Sequence, residues 1–133
     1  MKFTVHMEPV PKDRPRTTVK NGKARIYTPS NTTKAEWQIR QAFILVAGSG
    51  AAIRRPTPIF ISATFYLPRP KSLPKQITKP IARPDLDNLF KAVKDALRGY
   101  AWDDDSQVTS AVPKKRFGSP PRIEIEIQVD TEE

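Results

Sequence analysis

Residues 83–108, RPDLDNLFKAVKDALRGYAWDDDSQV, hold six of the fourteen carboxylates in the chain. Asp85 and Asp87 stand ahead of a helical pattern, and Asp103, Asp104 and Asp105 stand behind it. Such acids have a bland use. Asp85 would cap a helix, Asp87 would answer its dipole, and Asp87 with Lys91 would form an i,i+4 pair contributing about 0.3–0.5 kcal/mol. The triplet would then be a polar loop. They also have a chemical use. Three adjacent aspartates repel one another, and nothing in their own segment neutralises all of them. A helix followed by a returning strand can bring Asp85, Asp87 and the triplet near one point, where a divalent cation would hold them together. Mg²⁺ suits that arrangement, because it takes a few carboxylates and otherwise keeps water and phosphate oxygens. Other chemistries have less to work with. His6 is the only histidine, which leaves a serine-type triad without a base and disfavours zinc. No P-loop or G-x-G-x-x-G is present, so no organic cofactor is expected.

The rest of the chain is basic. Residues 1–84 carry a net +13 and residues 85–133 a net −4, within an overall formal charge of +9. A large field of one sign points to a polyanionic partner, with nucleic acid first. A merely soluble basic protein is the plain alternative. No segment reads as a basic amphipathic helix, which disfavours a lipid surface. Cysteine is absent, so disulfides and thiolate chemistry are excluded. The start MKFTVHMEPVPKD lacks the apolar core of a signal peptide, and no run is long enough to span a membrane. These features read as a soluble cytoplasmic protein, one domain over residues 1–133.

The elements that must position the acids follow from periodicity. Residues 2–7 alternate as a strand, and Asn21-Gly22 between two short strand-like runs (17–27) predicts a hairpin. Thr33 and Glu36 fit a capping box opening a helix that runs to the glycines at 48 and 50. Residues 58–67 read as a central strand, apolar on both faces. The proline- and lysine-rich stretch 68–84 reads as a loop leading to the site. Leu86, Leu89, Val93, Ala96 and Leu97 predict a second helix over 86–98, closed by Gly99. Residues 108–116 and 122–129 read as two final strands. The class is α/β (α+β): a mixed sheet of about four to six strands, hairpin included, with two main helices.

DLDNLFKAVKDAL followed by DDSQV resembles the signature of the RusA-type Holliday junction resolvases, common in phages and prophages. The matched positions are Asp85-x-Asp87-Asn88, Lys91, Asp95-Ala96-Leu97 and Asp104-Asp105-x-Gln107-Val108, and the basic PKDRPRTT opening is similar too. The resemblance implies an endonuclease that uses Mg²⁺, with Mn²⁺ able to substitute. It also implies binding of four-way DNA junctions as a homodimer, and nicks in two opposing strands. By position, Asp85, Asp87 and Asp105 match the metal-binding carboxylates, Asp104 the acid just before the last of these, and Lys91 the functional lysine. The loop departs from the family form at Asp103, where that form has an apolar residue. Lys12, Arg14, Arg16, Lys23 and Arg25 around the hairpin, Arg83, and Lys114 and Lys115 near the end of a late strand are expected to grip phosphates. Two other classes stay open. One is a non-catalytic DNA-binding or recombination-mediator module; the other is a metal-dependent flap or RNA nuclease.

Overall fold

Ile59, Ile61, Ala63, Phe65 and Leu67 alternate with half-exposed residues along strand β4 (Ile59–Leu67). Successive side chains of a strand point to opposite faces, so β4 buries one face only, not both as its apolar run predicted. The computed structural model describes residues 1–12, 16–27 and 30–133, with the backbone alone at 16–18, 20, 25–27 and 30. The other elements are β1 (Lys2–Val5), β2 (Arg16–Lys20), β3 (Lys23–Tyr27), α1 (Ser30–Ala47), α2 (Leu86–Leu97), β5 (Val108–Phe117) and β6 (Arg122–Val129). The main sheet is mixed, in the order β1-β6-β4-β5. β4 lies at its interior, antiparallel to β6 and parallel to β5. Parallel neighbours need a crossover, and α2 supplies it. Both helices contribute to one hydrophobic core with the buried face of the sheet, including Ile39, Phe43, Leu89, Val93, Phe65 and Ile125. No helix among the described residues is long and apolar enough to cross a membrane.

The local signals hold well. Asn21 and Gly22 both have positive φ, 52° and 74°, as the tight turn of a β2–β3 hairpin requires. Gly99 follows α2 at φ 84°. α1 begins at Ser30, three residues before the expected box at Thr33 and Glu36. Glu36 Oε1 accepts instead from Lys12 Nζ at 2.6 Å. The loop 68–84 is ordered by Arg69, whose guanidinium donates to the carbonyls of Ile77 at 2.6 Å and Pro74 at 2.9 Å.

The turn from α2 into β5 is built on one buried side chain. Gln107 Oε1 accepts from the amides of Asp103 and Asp104 at 2.8 and 2.9 Å. Its Nε2 donates to the carbonyls of Ile53 and Thr57 at 3.0 and 3.1 Å. All four contacts are to backbone, so Gln107 ties the acidic loop to the segment ahead of β4. Beneath it Trp102 is fully buried.

Gln107→Glu puts a carboxylate against two carbonyl oxygens that need a donor. A stability loss of about 3 kcal/mol or more is expected at pH 7. Burial among acceptors raises the pKa of the new acid, and its protonated form can again donate. The deficit relative to wild type should therefore shrink as pH falls from 7 to 5, measured by urea unfolding at each pH. A deficit that grows on acidification contradicts this account of the hub.

Candidate active site

Asp85 occupies the N-cap position of α2, yet its side chain makes no capping bond. Asp87 sits in the first turn, and Lys91 lies one turn further on. All three are exposed, and no ion pair joins Asp87 to Lys91. The side-chain cap of Asp85 and the Asp87–Lys91 pair are thus unrealised, while Asp87 keeps its first-turn place against the helix dipole. What does open this helix is backbone: Leu89 N–H donates to Asp85 O at 3.2 Å, and Lys12 N–H donates to Asn88 O at 3.0 Å. The first-turn amides keep the donor capacity that a cap would have taken. Beside them lies an open groove of about 410 Å³, lined by Glu8, Pro9, Pro11, Lys12, Leu67, Arg83, Pro84, Asp85 and Asn88. Glu8 and Asn88 were not among the expected site residues as such. Nothing in the local pattern of Glu8 marks it, because the groove forms only when the segment after β1 meets the end of β4 and the start of α2.

The acidic triplet is the opposite case, since every member is engaged. Asp103 accepts from Arg54 Nη1 at 2.7 Å and from the Arg55 amide at 3.0 Å. The Arg55 amide, then the Arg54 side chain, holds this carboxyl below the usual range. Asp104 accepts from the Ser106 hydroxyl and amide and forms a capping box with Gln107, and the Ser106 contacts depress its pKa. Asp105 Oδ1 accepts from the buried indole N–H of Trp102 at 2.9 Å, while Oδ2 stands 3.5 Å from Arg98. The repulsion that pointed to a metal is relieved by Arg54, Arg55 and Arg98. The first two lie about fifty residues away in sequence.

The expected meeting of Asp85, Asp87, Asp104 and Asp105 does not occur within one chain. α2 has 12 residues, a rod of about 18 Å at about 1.5 Å per residue. Asp85 and Asp87 are at its start, and the triplet follows its end. β5 then runs back from Val108 toward Lys115, whose ammonium reaches the carbonyl of Pro84 at 2.9 Å. The returning strand therefore starts at the far end of the helix from Asp85. Among the described residues, no three His, Cys, Asp or Glu side chains gather in a way that could hold a metal ion. Asp85 and Asp87 remain a usable pair, since Mg²⁺ is often bound through one or two carboxylates together with substrate phosphates.

The basic residues also divide. Lys23, Arg83 and Lys114 are exposed, as a phosphate grip requires. Arg14 lies outside the described residues, and of Arg16 and Arg25 only the backbone is described. Lys115 is directed to the carbonyls of Ala82 and Pro84. Lys12 is turned inward, 2.6 Å from Glu36 and 3.3 Å from Asp95, with its side chain 17% exposed. Burial by itself would depress the Lys12 pKa, but hydrogen bonding and attraction from Glu36 and Asp95 raise it above 10.5. A raised lysine contributes stability at lower pH and loses it as pH climbs through the raised value, in the strongly alkaline range. Lys12→Ala should cost about 1–3 kcal/mol of stability by leaving two facing carboxylates unpaired. The salt dependence of DNA binding should stay as in wild type, because Lys12 is not a surface phosphate contact. A flattened log–log salt slope with unchanged stability would return Lys12 to the DNA grip.

Comparison with known proteins agrees with the motif. The family profile of Endodeoxyribonuclease RusA matches residues 6–128. The chain is also 34% identical to the Uncharacterized protein YqaN of Bacillus subtilis (strain 168), over 96% of this chain and 95% of that one. The profile spans nearly the whole chain, from just after β1 to the penultimate residue of β6, and includes both acidic groups and Lys91. The chain belongs to the RusA endodeoxyribonuclease family, the Holliday junction resolvases.

Proposed function

We propose that this protein resolves four-way DNA junctions by paired nicks, using Mg²⁺ held at the start of α2 by Asp85 and Asp87. The observation that carries the reading is that Asp85 stands at the N-cap and does not cap, while Asp87 and Lys91 do not pair. Acids at a helix start whose oxygens take no hydrogen bond or ion pair are free to face a ligand. When bound, the ion supplies charge neutralisation at phosphate oxygens and a lower pKa for a bound water. The residues of the chain do the rest. First-turn amides of α2 and the positive end of its dipole attract a phosphate. Lys91, one turn beyond Asp87, offsets charge that develops on the phosphate. Arg83, at the groove rim, holds a flanking phosphate and so sets register.

A junction has approximate two-fold symmetry, so two opposed cuts are most simply made by a C2 homodimer. Symmetry also gives Asp105 a place. Opposite ends of one helix come together when two copies pack antiparallel about a two-fold axis. In such a dimer Asp105 of one subunit serves the Asp85 and Asp87 end of the other. Two features are compatible with that use. Trp102 fixes its orientation, and its Oδ2 keeps only a 3.5 Å pair with half-exposed Arg98. Asp104 accepts from Ser106 through Oδ2 and its amide is taken by Gln107, so it is assigned to building the loop.

Asp87→Asn should lower junction nicking in Mg²⁺ by at least about a hundredfold, with junction affinity equal to or tighter than wild type. Near-normal turnover would return Asp87 to a purely structural role. The dimer element has its own test. Asp87→Asn and Asp105→Asn, each inactive alone, are refolded together. Shared sites restore about a quarter of wild-type nicking, since about half of randomly paired dimers are mixed and each mixed dimer keeps one intact site. Sites contained within one chain restore none.

A further inference from the structure

Asp85 and Asp87 have no side-chain partner among the described residues, so their placement depends on the backbone that carries them. That backbone arrives through residues 68–84, which contain no regular element between β4 and α2. One side chain reaches its last turn. Lys115 Nζ donates to Ala82 O at 3.1 Å and to Pro84 O at 2.9 Å, the latter being the carbonyl directly before Asp85. Lys115 is held in turn by the register of β5, where it lies opposite the buried Phe65 of β4. Its aliphatic stem rises on the helix side of the sheet and its ammonium ends inside the loop.

We infer that Lys115 is a positioning residue: it clips the approach to α2 onto β5, so that the rigid sheet sets where Asp85 and Asp87 point. This assigns Lys115 a role distinct from the phosphate grip expected of it. Two of its three donors are already directed at carbonyls, which leaves little for a DNA phosphate. It also explains how carboxylates with no hydrogen bonds of their own can be held in place. Catalytic groups need placement within a fraction of an ångström, and supporting contacts provide it. The cation adds a second effect, since a positive charge beside the start of α2 lessens the cost of keeping two aspartates there.

The inference rests on the reading of Asp85 and Asp87 as the reacting end, and its test separates the two. Lys115→Met keeps the apolar stem and its packing while removing every donor. Three quantities are measured for it: the single-turnover junction nicking rate at saturating protein, the junction Kd with its salt slope, and backbone amide NMR shifts over residues 82–89. The expected result is a rate lower by at least about tenfold with Kd within about twofold and an unchanged slope. Amide shifts should move at Ala82, Arg83 and Asp85–Asp87, and exchange of the Leu89 amide, bonded to Asp85 O, should quicken. Lys115→Arg, which can still donate to both carbonyls, should recover most of the rate. An unchanged rate overturns the inference. So does a parallel fall in rate and affinity with a slope flattened by about one unit, the signature of a phosphate contact. Should wild type itself cut no junction, the proposed function fails, and the NMR arm decides the clip alone. Shifts confined to the β5 neighbours of residue 115 then reject it.

Discussion

Helix α2 is a spacer of fixed length, and the rest of the site depends on that constraint. Leu89, Val93, Ala96 and Leu97 are fully buried against the sheet and α1, so the helix can neither slide nor bend without opening the core. Whatever is attached to its first turn is separated from whatever follows its last by about 18 Å. One end carries carboxylates with no hydrogen-bond or ion-pair partner among the described residues. The other carries a loop in which every carboxylate has a partner.

This division follows from how each end is held. At the far end the loop is satisfied from within the chain: Gln107 takes four backbone partners, Trp102 orients Asp105, and Arg54 reaches Asp103. Such bonds hold the Asp103 and Asp104 carboxyls below the usual range, which suits a loop fixed in one shape. At the near end there is no such network, and the positive end of the helix dipole faces solvent beside a groove. A site meant to receive a phosphate must leave its donors and its acids without internal partners, so the lack of bonds around Asp85 and Asp87 is itself the informative feature. Under the proposed function, that end is where the endodeoxyribonuclease activity of the family would be carried.

The basic surface needs the same distinction between charge and contact. A net of +9 draws a polyanion at long range whichever lysines carry it. Individual residues nonetheless do other work: Lys12 neutralises Glu36 and Asp95 between the two helices, Lys115 is directed into the loop, and Arg69 folds that loop around its guanidinium. Lys71, Lys75, Lys79 and Arg83 remain exposed along it. Steering and anchoring are thus handled by different members of one residue type, and charge counting alone does not separate them.

Much of this was legible in the residues alone. Asn21-Gly22 specified its turn because only a few residue types tolerate two successive positive φ values. The periods of 3.6 and 2 located α2, β5 and β6 to within a residue or two, and the spacing of Asp85, Asp87, Asn88, Lys91 and Gln107 pointed to the family. Even the separation of the two acidic groups was implicit in the length of α2 and the short link after it, and the expected convergence overlooked it. Tertiary structure decided what depends on partners distant in the chain. Arg54 meets Asp103, Lys12 meets Asp95, Lys115 meets Pro84, and β4 buries one face because both helices lie on the same side of the sheet. A local pattern states what a side chain is able to do. Only the packing of remote segments determines whether a neighbour has already taken up that capacity.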